Sequence, residues 1–396
     1  MRTRNTRTNP QSTHHMAKRN VSWLLLSVGF LLGLGIVMLI STCAFSETSP
    51  VEDVYKDAKR QVVWICAGVF VCVVTASIDY RLYQRWVWLL VGAVILLLIM
   101  CYIPGLGHKV NGEWRWVRLG GFQFQPSELA KIVLAAFLGA WFALHSDSGA
   151  HPTRGFLYPI SIAGVMILLV FFEKDMGTAL VMAATCLTVM FVAGVRWYYL
   201  GGLTSLGMCG LAVMVKLDAH RTGRILAYLD MEANKLGFAF QQWIGLMALG
   251  SGGVTGRGLG EGRLKMLYMP FAHTDFIFPM IGEELGLMFT LAVIFAFLVF
   301  ALAGASISFQ APDIFGRLLG MGLVSFIVFQ AALNIGVTTA VLPNKGIPLP
   351  FVSYGGSSLL AVMVAVGILL NIYRQGRTDE AENRCWVNSR RITPRV

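Results

Sequence analysis

Long apolar windows alternate with short polar stretches along the whole chain. Ten windows stand out, at 21–45, 62–78, 86–103, 132–144, 156–172, 176–195, 197–215, 276–302, 318–342 and 352–372. Nine contain no Asp, Glu, Lys or Arg, and the tenth, 276–302, contains only Glu283 and Glu284. A helix needs roughly 20 mostly apolar residues to cross the hydrocarbon core of a bilayer. The pattern therefore predicts an all-α polytopic membrane protein of about ten transmembrane helices. The first window outruns the apolar region of a signal peptide and leads into further spans, so it reads as a retained helix.

Composition agrees: 56% of the 396 residues are hydrophobic, 13% are charged, and the mean hydropathy is +0.65. That is too apolar for a water-soluble globule of this length. Orientation follows from Lys and Arg, which accumulate in cytoplasmic segments, long translocated loops being left out of the count. With an inside N-terminus, 16 basic residues fall on the cytoplasmic side and 9 in the short outer segments, the other 7 lying in the long outer loop 216–275 between the seventh and eighth helices. Both termini are therefore expected in the cytoplasm. The net charge of +11 is spread over tails and loops on both sides with no nucleic-acid motif, so no nucleic acid is expected as a partner. The seven cysteines show neither a disulfide framework nor zinc-site spacing.

Residues 1–20 read as a disordered, basic cytoplasmic tail, 21–373 as a single membrane domain and 374–396 as a cytoplasmic C-terminal tail. Nearly all clustered polar, Gly and Pro residues fall in four outer segments, and chemistry is expected there. Met269 to Gly286, MPFAHTDFIFPMIGEELG, sets His273, Thr274 and Asp275 at the start of the eighth window. Asp275 alone reads as a helix cap. Glu283 and Glu284, about 12 to 14 Å further along a helix, lie where ionisable groups face a cavity or a partner, which favours a functional site.

In Asn111 to Lys131, NGEWRWVRLGGFQFQPSELAK, Pro126 suits a first helical turn, and Glu128 and Lys131 pair at i, i+3. Arg115 and Arg118 sit among Trp114 and Trp116, at the depth of a lipid phosphate. For the tryptophans an interfacial belt and a substrate role stay equally open. Asp175, in EKDMGTAL, reads first as a helix N-cap. Leu342 to Ser358, LPNKGIPLPFVSYGGSS, packs three prolines and three glycines into seventeen residues. Such a segment is a re-entrant or surface loop, tolerated only against protein or water. Lys345 is its one formal charge, with snorkelling and anion binding both open. Within the long loop, 240–249 is amphipathic and suits the interface. The glycine run 250–262 lacks the preceding strand and the GK[ST] ending of a phosphate loop.

In this order, over about 250 residues, the four strings resemble the SEDS family of FtsW, RodA and SpoVE. IGEELG at 281–286, the Asn-Lys-Gly at 344–346, the basic N-terminal tail and the intact SYGGSS bring the resemblance nearest the FtsW branch. Glu113 and Trp114 depart from the small residues usual in that family, and Glu173 and Lys174 stand where it usually has Gln-Pro; nothing in the sequence explains either change. The resemblance implies a peptidoglycan glycosyltransferase of the bacterial inner membrane, polymerising lipid II at its outer face in septal wall synthesis. GlcNAc O4 of one molecule joins MurNAc C1 of the growing chain, and undecaprenyl diphosphate leaves. The resemblance places the essential carboxylate at Asp275, where a general base would activate the sugar hydroxyl, while cations hold the departing diphosphate.

The candidate substrate-binding residues are Arg115, Trp116, Arg118, Glu128, Lys131, Asp175, Arg224, His273, Glu283, Lys345 and Ser353, with Arg221 a further outer cation. A divalent cation, Mg²⁺ or Mn²⁺, bridging the diphosphate to Asp275 or Glu283 would serve too, and no organic cofactor is expected. Expected partners are lipid II, a class B penicillin-binding protein and other divisome membrane proteins. The alternatives are an elongation polymerase of the RodA kind, a lipid II flippase and a non-catalytic divisome scaffold. The last two leave unexplained why the charged clusters lie at the outer face only.

The charge count makes a testable prediction about topology. A cysteine introduced into 216–275 should react with an impermeant thiol reagent in intact cells, and one in either tail should not; labelling of both tails from outside would invert the orientation.

Overall fold

The structure, a computed structural model, describes residues 10–43, 56–110, 113–119, 122–145, 153–264 and 274–392. Helices α1 (Pro10–Cys43), α2 (Lys56–Ser77), α3 (Arg81–Arg85) and α4 (Val87–Met100) lead into a three-stranded sheet. After it come α5 (Pro126–Leu144), α6 (Tyr158–Phe172), α7 (Met176–Val192), α8 (Trp197–Leu217), α9 (Ala219–Leu229) and α10 (Phe240–Gly252). The chain closes with α11 (Ile277–Phe309), α12 (Ile314–Thr338) and α13 (Gly356–Ile392). Among the described residues, eight helices are long and apolar enough to cross a membrane, and α4 and α7 are shorter apolar helices. Each of the ten predicted windows holds one of these, so the protein is an α-helical polytopic membrane protein.

Boundaries differ where charge misled the window. The fourth charge-free window begins at 132, but α5 begins at Pro126, because Glu128 and Lys131 pair with each other at 2.8 Å and both are buried. The ninth helix ends at Thr338, before the proline-rich loop. Helix also runs back to Pro10 and on to Ile392, into segments that composition marks as tails, since a nucleated helix extends cheaply.

The segment read as an outer loop before α5 folds instead as an antiparallel sheet, β1 (Gly107–Val110), β2 (Glu113–Leu119) and β3 (Phe122–Phe124), in the order β1-β2-β3. Aromatic and β-branched residues at Trp114, Trp116 and Val117 favour the strand. His108 faces Trp116 and Lys109 faces Trp114, which leaves Arg115 as the extra residue of a bulge. Bulges re-aim a side chain.

α5 and α12 form the centre of the bundle, α12 packing against α5, α7 and α11, while α2 packs along α13 and α1 along α11. α8 buries none of its side chains and leans on α7 and α9. The alternation of helices collects the sheet, the α6–α7 turn, α9, the start of α11 and the proline-rich loop at one end. At the other end Tyr80 joins α12 and α13: its hydroxyl donates to Asp313 at 2.7 Å and its backbone N–H to Asn371 at 2.9 Å.

α11 is broken within its span at Gly286, which has φ 79° and ψ −173°. The glycine-rich segment after α10 docks on the break. Leu287 N–H donates to the Gly253 carbonyl at 3.0 Å, and Arg257 and Gly258 N–H donate to the carbonyls of Glu283 and Glu284 at 2.9 and 3.0 Å. A side chain at 286 would meet a left-handed backbone and stand 2.4 Å from Gly256 N. Gly286→Ala should therefore destabilise the protein by at least about 1–3 kcal/mol, read as a lower melting temperature in detergent. An unchanged melting temperature would contradict the docked arrangement.

Candidate functional site

Asp275 lies two residues before α11, and its backbone is fixed from two directions. Its carbonyl accepts from Asn334 Nδ2 at 2.8 Å, and the same amide nitrogen donates to the Ile347 carbonyl at 2.7 Å. The neighbouring Thr274 carbonyl accepts from the Ser353 hydroxyl, which itself accepts from Leu349 N–H at 2.8 Å. The chain of contacts continues inward. Gln330 Nε2 donates to the Pro348 carbonyl at 3.0 Å, Lys131 Nζ donates to Gln330 Oε1 at 2.6 Å, and Lys131 is paired with Glu128. A polar spine thus runs from α5 through α12 to the proline-rich loop and the start of α11. The Asp275 carboxylate lies against the loop backbone: a methyl group on Gly346 would stand 2.7 Å from its Oδ2.

The sheet and the α6–α7 turn supply another wall. Arg115, turned by the bulge, donates from Nη2 to the Lys174 carbonyl at 2.8 Å and from Nε to that of Glu173 at 3.4 Å. Asp175 caps α7, accepting from Thr178 N–H at 3.1 Å and its hydroxyl at 2.8 Å, and Gln125 donates to it at 2.9 Å. Lys345, on the proline-rich loop, reaches Met176 Sδ at 3.1 Å.

Burial in mixed charge shifts several groups. Burial, then repulsion from Asp175, pushes the Asp275 carboxyl up to about 6, partly offset by Arg115. Burial, followed by Arg224, Arg221 and Arg115, brings Lys345 down to about 8, with Asp175 opposing. Burial and Asp175 raise Glu173 to about 8 against the Cys101 thiol and Arg115. Asp275, Asp175, Arg115, Lys345 and Arg224 thus share one electrostatic neighbourhood, in which Arg221 also pairs with Asp218 at 3.0 Å.

Other expected residues stand elsewhere. Glu128 and Lys131 are inside the bundle, and Ser353 holds backbone. Glu283 is fully buried and accepts from the N–H groups of Arg263 and Leu264 at 2.8 and 3.2 Å, so its partner is the glycine-rich segment. Arg118 is exposed and Trp116 half-buried on the sheet; His273 lies outside the described residues. Sequence reasoning missed Gln125, Gln330 and Asn334. The available signal was two amide side chains in the otherwise charge-free window 318–342, since buried amides in a membrane need partners.

Comparison with known proteins gives a consistent picture. The FtsW/RodA/SpoVE family, described as cell cycle protein, matches residues 22–378. A probable peptidoglycan glycosyltransferase FtsW from Trichlorobacter lovleyi is 39% identical over 349 residues, covering 88% of this chain and 92% of the relative. Among solved structures, one described as the structural coordination of polymerization and crosslinking by a peptidoglycan synthase complex holds a similar chain. It has a TM-score of 0.71 and 27% identity, covering 89% of this chain and 97% of that one. The rod shape determining protein RodA of Thermus thermophilus gives a TM-score of 0.64 and 25% identity, with 89% and 95% covered.

The buried pair at the root of the spine sets a stability prediction. Lys131→Met should cost roughly 3–5 kcal/mol by leaving Glu128 buried without its cation, and adding Glu128→Gln should restore much of the loss. Thermal unfolding of the single and double variants checks this; equal melting temperatures for wild type and Lys131→Met would contradict the pairing.

Proposed function

The chain belongs to the FtsW/RodA/SpoVE family of cell cycle proteins as a peptidoglycan glycosyltransferase of the FtsW kind, and we propose that Asp275 is the general base with which it polymerises lipid II. The reaction is assigned to the outer face of the cytoplasmic membrane, in septal wall synthesis. One observation supports it above the rest. The backbone around Asp275 is held by Asn334 and Ser353, while its carboxylate accepts no hydrogen bond from the described residues and lies in the field of Arg115. A fixed, raised carboxylate beside cations is what a weak hydroxyl nucleophile and an anionic leaving group require.

The acceptor GlcNAc 4-hydroxyl gives its proton to Asp275 as O4 attacks MurNAc C1 of the growing chain. The bond from C1 to the phosphate oxygen breaks, and undecaprenyl diphosphate leaves with the electron pair. Arg115 and Lys345, with Arg221 and Arg224 adding to the positive field felt at Lys345, stabilise the charge on the diphosphate. A single displacement of this kind inverts the anomeric centre. Asp175 repels Asp275 and raises its basicity. Among the described residues, no group of three or more His, Cys, Asp and Glu side chains could hold a metal ion alone. A divalent cation, if bound, would be held by Asp275 or Glu283 and would supply positive charge to the leaving diphosphate. A class B penicillin-binding protein is the partner that would crosslink the product, in keeping with the complex of the structural relative.

The pH dependence follows from the two shifted groups. Asp275 must be ionised to accept a proton, so kcat/KM should fall as pH drops through about 6. Lys345 must be charged to hold the diphosphate, so kcat/KM should also fall as pH rises through about 8. With purified protein and labelled lipid II, Asp275→Asn should lower polymer synthesis by about 10² to 10⁴ while the protein stays folded. Lys345→Arg should move the alkaline limb upward, because a guanidinium keeps its proton. Polymer at wild-type yield from Asp275→Asn, insensitive to moenomycin, would refute the assignment.

A further inference from the structure

The two carboxylates in the second turn of α11 have no part in the proton transfer above, yet the structure gives them a specific occupation. We propose that Glu283 and Glu284 are positioning residues: they clamp the backbone of residues 257–264 onto the break in α11 and thereby fix the first turns of the helix that Asp275 leads into. The inference rests on Asp275 being the base.

The break at Gly286 leaves helical carbonyls without their usual donors, and the glycine-rich segment supplies replacements. Arg257 and Gly258 N–H donate to the carbonyls of residues 283 and 284, while Leu287 and Met288 N–H donate back to Gly253 and Val254. The side chains extend the same lattice. Glu283 Oε1 accepts from two consecutive backbone N–H groups, those of Arg263 and Leu264. Glu284 accepts from Gly260 N–H at 3.1 Å and from the Ser41 hydroxyl on α1. Methyl groups could not be added at Gly252 or Gly256 without coming within 1.9 and 2.2 Å of the Gly282 and Glu284 carbonyl oxygens, so the two backbones are in direct contact.

The consequence for the site is geometric. Leu264 is held by Glu283, and Thr274, ten residues later, is held by Ser353. The chain between these points leads to Asp275, and Asp275 leads into the helix that bears Glu283. Asp275 stands two residues before α11, so the clamp holds the first turns of the helix that Asp275 leads into, with Glu283 about 12 Å along the axis from Asp275. In this role Glu283 works as an acceptor on a single oxygen; Oε2 has no hydrogen-bond partner among the described residues. A side-chain amide of the same length offers the same acceptor. A shorter carboxylate keeps the charge and withdraws the acceptor.

Substitutions at 283 separate acceptor from charge. Purified full-length protein is assayed with labelled lipid II as wild type, Glu283→Gln and Glu283→Asp, with kcat and KM resolved and melting temperatures measured. Glu283→Gln should keep kcat within about threefold of wild type. Glu283→Asp should lose about 30-fold or more in kcat, since a misplacement of about 1 Å costs on the order of 10²-fold. Its KM should change by less than about threefold, because the diphosphate-binding cations sit on other elements, and the acid limb of its pH profile should move with Asp275. Equal activity of the two variants, a reversed order, or failure of Glu283→Gln to fold would overturn the proposal. Asp275→Asn in the same assay reports separately on the underlying reading: if it stays active, the general-base assignment fails whatever the order at 283.

Discussion

Asn334 stands near the end of α12 with one amide nitrogen donating to two backbone carbonyls, those of Asp275 and Ile347, and the arrangement of the site depends on that fork. Irregular backbone at the edge of a bilayer cannot rely on water for its polar groups, and each one left unpaired costs several kcal/mol in hydrocarbon. The proline-rich loop has few internal hydrogen bonds to offer. Side chains of α12 satisfy much of it instead, Asn334 at Ile347 and Gln330 at Pro348, and the loop's own Ser353 takes the Leu349 N–H. Because Asn334 and Ser353 also hold Asp275 and Thr274, the contacts that make the loop tolerable are the contacts that aim the carboxylate.

The same economy of partners shapes the electrostatics. Glu128 and Lys131 neutralise each other, so α5 can run through the centre of the bundle and hold Gln330 in place. Asp175 is occupied as a helix cap and by Gln125; it acts on Asp275 and Lys345 through its charge. Arg115 is held by carbonyls of the α6–α7 turn, which places a cation beside the site before any substrate arrives. Prepositioned charge of this sort needs little rearrangement as the leaving group develops its own.

Much of this was readable from residues alone, and what was not has physical causes. Charge-free windows located the helices, because exclusion of charge from hydrocarbon is a strong and local rule. The same rule placed the start of α5 too late, since it cannot see that Glu128 and Lys131 cancel. Asp175 was legible as a cap from its position before a helix. Arg115 was legible as a cation near the interface, but not as the member of β2 turned inward, because a bulge is set by strand register across β1 and β2. Gln330 and Asn334 carry no charge and match no motif, so their importance appears only when α12 meets the proline-rich loop. Glu283 is legible as a charge too deep in its span to lack a partner; that partner, a backbone segment some twenty residues upstream, could not be read from its spacing.

Every role given to Asp275 and the cations around it requires that this chain itself joins sugars. The direct measurement uses purified wild-type protein and labelled lipid II in detergent or liposomes, with and without a class B penicillin-binding protein, with products resolved by glycan chain length. Polymer that resists moenomycin and carries the inverted, β-configured linkage is the expected product. Absence of polymer under both conditions, with lipid II instead appearing on the opposite leaflet of liposomes, would contradict those roles and mark the chain as a transporter.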